Sequence, residues 1–137
     1  MSAVHVRALV AGEQYALAVE HVAEVLRLNE VTPVPGAPPA LLGLLNLRGE
    51  AVSVVDVASA LGLQGERRPA HVVVVVVSDD GRRAGLAIDA VLDVATLPPT
   101  SPEDGLSCVR ETTVIDGALI GVLDVGALLD RAAGGPS

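Results

Sequence analysis

Short runs of β-branched and other apolar residues, separated by turn residues, recur along the whole chain. Val4–Ala11 ends at a Gly-Glu turn and Tyr15–Val19 resumes the pattern, which predicts a strand, a turn and a second strand. Thr112–Ile115 and Ala118–Asp124, joined by an Asp-Gly pair, predict another hairpin. The six valines Val72–Val77 are far fewer than the roughly 20 residues of a membrane span, so they predict a buried strand.

Helical patterns are few and short. Val57–Leu63, with a glycine at position 62, and Val125–Ala133 predict two short helices. Val22, Val25 and Leu26 are spaced i, i+3, i+4 and predict one or two helical turns after the second strand. Helices this short do not suit crossover connections, so the sequence predicts an all-β protein, most simply small barrels.

The chain also contains an internal repeat. A shift of 69 residues places Gly12–Leu26 on Gly81–Ala95, and a shift of 68 places Gly49–Gly62 on Gly117–Asp130, with several identical Gly, Val, Leu and Asp positions. A period seen only twice indicates a duplicated unit rather than a solenoid. Because a polar linker, Gln64–Pro69, lies at the midpoint, we expect subdomains at 1–68 and 69–137, with strand exchange between the halves possible and a cleft where they pack.

Composition excludes several functions. The chain has 17 acidic residues, nine basic residues that are all Arg, and a net charge of −8, with 1% aromatic residues. Nucleic acid requires basic surfaces and stacking platforms, and anionic membranes repel a negative protein, so no nucleic acid and no direct membrane insertion are predicted. Without Lys there is no P-loop or Schiff-base lysine.

No catalytic residue, cofactor or metal site is predicted. The three histidines are far apart in sequence, and the one cysteine, Cys108, excludes an internal disulfide. A single Cys fits a reducing compartment, and the N-terminus has no signal-peptide pattern. These features predict a cytoplasmic protein.

Asp56 and Asp124 each end an apolar strand and precede a predicted helix, which predicts that both cap helix N–H groups. Gly49 and Gly117 supply the backbone freedom of the two hairpin turns. Arg48 has no obvious charge partner nearby in sequence. On the residues alone, a solvated turn Arg and a functional Arg remain alternatives.

One segment resembles the CheW family. Leu42–Asp56 contains the G-x-x-N-x-R-G pattern in Gly43, Asn46, Arg48 and Gly49, followed by V-x-D and a short helix ending in Leu-Gly. Tyr15–Val25 is similar to the family's second strand and V-x-E-V turn, and Gly85–Val94 and Gly117–Leu129 match its later motifs. The resemblance covers about residues 3–131, although Ser53 stands where Pro is common and the first strand lacks the usual aromatic residue.

The resemblance implies two SH3-like five-stranded β-barrels and a non-enzymatic adaptor. Its partners would be methyl-accepting chemoreceptors and the regulatory domain of the histidine kinase CheA. The residues implied in receptor and kinase coupling are Arg48, Val22, Glu24, Val25, Gly43 and Asn46. A stand-alone adaptor is the simplest interpretation. The alternatives are a CheW-like adaptor of another chemosensory pathway, such as a pilus or gliding system, and a small-ligand sensor, which requires a closed pocket with converging polar groups.

Overall fold

The computed structural model describes residues 3–63, 70–103 and 108–134, and most of these residues lie in β-strands. Within these ranges two α-helices and a short 3₁₀ turn, Val19–His21, accompany the strands. The elements are β1 (Val4–Val10), β2 (Glu13–Ala18), β3 (Val22–Arg27), β4 (Leu41–Leu47), β5 (Glu50–Asp56), α1 (Val57–Leu61), β6 (Val72–Val77), β7 (Arg83–Ile88), β8 (Ala90–Thr96), β9 (Ser101–Pro102), β10 (Val109–Ile115), β11 (Ala118–Leu123) and α2 (Val125–Ala132).

The strands form two sheets. Sheet A has the order β8-β1-β2-β11-β10-β9 and sheet B the order β3-β6-β7-β5-β4. Each sheet takes strands from both halves of the chain, so the predicted units 1–68 and 69–137 exchange strands. Where a domain boundary lies stays a prediction, and the predicted linker, residues 64–69, lies entirely outside the described residues.

The internal repeat is visible in the strand register. Sheet B pairs Val54 with Gly85 across the parallel strands β5 and β7, and sheet A pairs Val122 with Ala16 at the repeat-related positions of β11 and β2. The backbone N–H of Asp56 donates to Ala40 at 2.7 Å, and that of Asp124 donates to Cys108 at 2.7 Å, one repeat later. The two sheets are therefore built on one plan.

The main core lies between the sheets and under the helices. Leu17 and Ala8 from sheet A, Leu86 and Val74 from sheet B, and Leu128 of α2 belong to one buried hydrophobic cluster. The valine strand is buried on both faces, because Val74 and Val76 join this core while Val73 and Val75 join a second cluster. Fully burying a Val or Leu side chain stabilises the fold by about 1.5–3 kcal/mol. The prediction of a buried strand is confirmed.

The helical prediction for Val22–Leu26 is wrong. These residues form strand β3, which pairs with the valine strand β6. The register shifts between Val22 and Glu24, so Val22 lies opposite Val76 and Val25 lies opposite Val74. The bulge inserts one extra residue into β3, so Val22 and Val25 lie on the same face of the strand although they are three positions apart. Apolar residues three positions apart are also typical of a helix, which explains the wrong prediction.

Candidate functional site

Arg48 lies at the tip of the β4–β5 hairpin. Arg48 and Gly49 have φ of 52° and 83°, as in the type I′ turns that suit two-residue hairpins. The side-chain oxygen of Asn46 accepts a hydrogen bond from the N–H of Gly49 at 2.9 Å. This bond and the glycine fix the turn, while the side chain of Arg48 remains 72% exposed.

The structure brings Arg48 and Glu24 together. Nη1 and Nη2 of Arg48 donate to Oε1 and Oε2 of Glu24 at 2.9 and 2.8 Å, the bidentate geometry that a guanidinium offers to a carboxylate. The hydrogen bond from Arg48 is the main reason that the pKa of Glu24 lies below its ordinary value, and the same bond raises the pKa of Arg48. Sequence reasoning selected both residues but missed the pair, which joins positions 24 residues apart.

The ion pair connects the two edges of sheet B. Strand β3, which carries Glu24, and strand β4, which leads into the Arg48 turn, are the outermost strands of that sheet. A second link is the bridge between Thr32 and Leu44, whose N–H groups donate to each other's carbonyls at 2.9 and 2.8 Å. The backbone bridge closes sheet B into a barrel, and the exposed ion pair spans the same gap at the surface.

Gly43 belongs to this closure. Its φ is +148°, and a Cβ at this position would lie 2.2 Å from the carbonyl oxygen of Thr32. Any side chain here would push the chain away at the point where Thr32 and Leu44 pair. The close approach of Thr32 to Gly43 therefore explains why this motif position is a glycine.

Val22 and Val25 lie on the other face of β3 from Glu24, because of the bulge. Val22 is half-buried and packs against the main core, whereas Val25 is 47% exposed. The predicted coupling residues therefore divide into an exposed valine on one face and a fixed charged pair on the other. Val25 and Glu24 both belong to the edge strand β3, and Arg48 reaches Glu24 from the β4–β5 turn.

The two aspartates differ. Oδ1 of Asp124 accepts a hydrogen bond from the N–H of Ala127 at 3.1 Å, so it caps α2 as the sequence suggests. Oδ2 of Asp56 instead accepts from the hydroxyl of Ser59 at 2.7 Å, and no backbone N–H of α1 donates to the side chain of Asp56. Gly117, with φ of 80°, completes the β10–β11 turn that corresponds to Arg48–Gly49.

Groups that could carry chemistry are dispersed. Burial raises the pKa of the Cys108 thiol, which lowers its reactivity. Nδ1 of His5 and of His21 lie 3.0 Å from backbone carbonyls. In the described ranges, no group of three or more His, Cys, Asp or Glu residues is placed to hold a metal ion. A search of the same ranges finds no helix long and apolar enough to cross a membrane.

Comparison with known proteins agrees with this architecture. Residues 5–133 match the family described as CheW-like domain. The chain is 27% identical to chemotaxis protein CheW of Rhizobium meliloti, over 87% of this chain and 82% of that protein. It is 25% identical to chemotaxis protein CheW of Bacillus subtilis, over 90% and 84%. The crystal structure of the scaffolding protein TtCheW from Thermoanaerobacter tengcongensis superposes with a TM-score of 0.82 at 26% identity, covering 93% of this chain and 88% of the other.

The chain belongs to the CheW-like domain family. The predicted fold, all-β with two SH3-like barrels, is confirmed. The chain is a chemotaxis adaptor without enzymatic activity of its own, as the sequence predicted.

Proposed function

We propose that this chain couples the cytoplasmic tips of chemoreceptors to the regulatory domain of the kinase CheA, and that it works in the cytoplasm. The receptor-coupling surface in this proposal is the β3–β4 edge of sheet B, where Arg48 and Glu24 lie on one face of β3 and Val25 lies on the other. A receptor tip is helical, and helices dock by apolar anchors spaced i, i+3, i+4. The exposed Val25 supplies an apolar contact for such an anchor.

The observation that carries the proposal is the way in which Arg48 is held. A guanidinium has five N–H donors, of which Glu24 takes two, and the side chain is still 72% exposed. An exposed arginine is ordinarily mobile, but this one is fixed at a defined position on the surface. A fixed cation can recognise carboxylates or carbonyls on a partner helix with less loss of side-chain entropy, and Lys cannot copy the planar fork.

Kinase activation in reconstituted receptor arrays tests the proposal. Receptors and CheA from the same source are mixed with wild-type protein, Arg48→Ala, Glu24→Gln or Val25→Asp. We expect each variant to lower kinase activation severalfold while remaining folded in thermal melts. The matched control is Asp116→Ala, because Asp116 holds the same turn position in sheet A and should leave activation unchanged.

Full activation with Arg48→Ala would refute the role of this surface and leave Arg48 as a solvated turn residue. Val22→Asp is a less useful variant. Because Val22 packs against the main core, an aspartate there should destabilise the fold as well as weaken coupling.

A further inference from the structure

Arg7 lies on the interior face of sheet A. It is opposite Ala16 in the β1–β2 ladder, and Ala16 belongs to the buried cluster inside that sheet. Nη1 of Arg7 donates to Oδ2 of Asp93 on β8 at 2.7 Å, and Nη2 donates to Oε1 of Gln14 at 2.9 Å. The side chain of Arg7 is only 17% exposed, and its Nε is buried without a hydrogen-bond partner among the described residues. A buried donor left unsatisfied weakens the folded state.

The edge of sheet B has an aliphatic residue in the place of Arg7. Asp93 corresponds to Glu24 in the repeat, and Glu24 lies opposite Val75 on β6. Val75 is fully buried and belongs to the cluster inside sheet B. Two sheets built on one plan therefore place a charge and an aliphatic side chain at equivalent interior positions, and folding does not require the charge.

The neighbouring cross-strand pair differs in the same direction. In sheet B, Leu26 lies opposite Val73 and packs against the interior cluster. The corresponding pair in sheet A is Ala95 and His5. His5 is buried, and its Nδ1 lies 3.0 Å from the backbone carbonyl of Ala3. Less apolar surface therefore holds β8 against β1 than holds β3 against β6.

This polar edge lowers the free energy needed to separate β8 from β1. β8 is the outermost strand of sheet A, and its register with β1 shifts between Arg7 and Ala8. When the strands separate, water hydrates both Arg7 and Asp93, and the regained hydration offsets the loss of their ion pair. Separation of β3 from β6 instead brings Val75 and Leu26 into water, where apolar surface is unfavourable.

We propose that β8 is a strand that opens: it separates locally from β1 while sheet B and the main core stay folded, and the Arg7–Asp93 pair sets how often it does so. Each opening exposes the backbone of β1 and the guanidinium of Arg7. The two barrels then differ in mechanical behaviour, because sheet B keeps its edge closed and sheet A changes shape at one edge. This inference does not depend on which molecules the adaptor joins.

Hydrogen exchange of the full chain, followed by mass spectrometry, measures such local opening within the native state. Protection factors, corrected for intrinsic exchange rates, are taken from peptides that cover β8 and β3. A peptide that covers β6 reports global stability. We expect β8 to be about tenfold less protected than β3, since local opening is easier where fewer apolar contacts are lost. Equal protection of the two strands, or stronger protection of β8, would overturn the proposal.

Two variants at the pair separate this mechanism from ordinary fraying of an edge strand. Arg7→Met removes the buried charge and keeps a long side chain, so the protection of β8 should rise severalfold while that of β3 stays unchanged. Asp93→Asn leaves the buried guanidinium without its counter-charge, so the protection of β8 should fall severalfold. The matched control is Arg83→Met, which removes an Arg from an exposed pair with Glu50 and should change neither strand.

The direction of the Arg7→Met effect is decisive. If both Arg7→Met and Asp93→Asn lower the protection of β8, the pair is a tie that keeps the strand closed, and the proposal is wrong. A rise of equal size in β6 would also contradict it, because the effect would then be global. The comparison of β8 with β3 in the wild type needs no variant, so it tests the proposal even if Arg7→Met fails to fold.

Discussion

Replacing Gly43 by Ala tests whether closure of sheet B is what positions Arg48. The new Cβ would overlap the carbonyl oxygen of Thr32, at 2.2 Å. Thr32 or β4 must therefore move, and the two hydrogen bonds between Thr32 and Leu44 would be lost. We expect the β4–β5 hairpin, with Arg48 at its tip, to separate from β3.

The size of the effect follows from two terms. Two backbone hydrogen bonds contribute about 1–3 kcal/mol together, and a side chain at φ of +148° adds strain of about 1–3 kcal/mol. The sum, about 2–6 kcal/mol, is a large part of the 5–15 kcal/mol that typically separates a folded from an unfolded domain. For a chain of 137 residues this loss of stability corresponds to a fall in Tm of roughly 7–20 °C.

Urea unfolding followed by circular dichroism measures the loss. The matched control is Gly49→Ala, since Gly49 also has a positive φ, 83°, but no atom lies within 4 Å of its Cβ position. Strain alone should cost the control about 1–2 kcal/mol. If Gly43→Ala is no less stable than Gly49→Ala, the close approach to Thr32 does not contribute to closure, and the argument that closure fixes Arg48 fails.

Four further outcomes are expected. Asp124→Ala should lose about 0.5–2 kcal/mol of unfolding free energy in urea titrations, because it removes the cap on Ala127. Asp56→Ala should lose less unfolding free energy, because the carboxylate of Asp56 accepts a hydrogen bond from the Ser59 hydroxyl rather than capping the helix. Arg48→Ala and Glu24→Gln should leave Tm within about one or two degrees, because the pair is at the surface, and a larger fall would make it a structural pair. Burial raises the pKa of Tyr15 above its ordinary value, and the hydrogen bond to Glu13 raises it further. The folded protein therefore favours the neutral phenol. Its contribution to stability is fully present below pH about 10 and is lost as pH rises through the folded-state pKa. Absorbance of the ionised phenol and loss of circular dichroism should then appear together at alkaline pH, and phenol ionisation in a fully folded protein would contradict this.

The fold could be predicted from sequence wherever a local pattern determined the structure. The valine strand, the Asp116–Gly117 turn and the final helix each depend on neighbours in the chain. The strand at Val22–Arg27 could not be predicted in this way. Its apolar spacing results from a bulge against β6, which is a long-range partner about 50 residues away in sequence, and local periodicity cannot detect such a shift.

The candidate site was predicted residue by residue but not as an arrangement. The motif contains Arg48 and Gly43, and the earlier V-x-E-V segment contains Glu24, but nothing local indicates that Arg48 binds Glu24 or that Gly43 meets Thr32. Both contacts form only when the edges of sheet B approach each other. Ion pairs and close approaches between distant segments depend on the tertiary fold, and one sequence without its relatives carries little signal of them.

The duplication provides an internal test of which residues serve the fold and which serve something else. Where both halves need the same residue, as at Gly49 and Gly117 in the positive-φ turns, the backbone explains it. Where the backbone is the same and the chemistry differs, folding does not explain the difference. Arg48 corresponds to Asp116, and Glu13 corresponds to Arg82, so equivalent places on the two barrels carry opposite charges. A protein that joins different partners needs unlike surfaces, and charge reversal at repeat-related positions lets one fold provide them without changing its core.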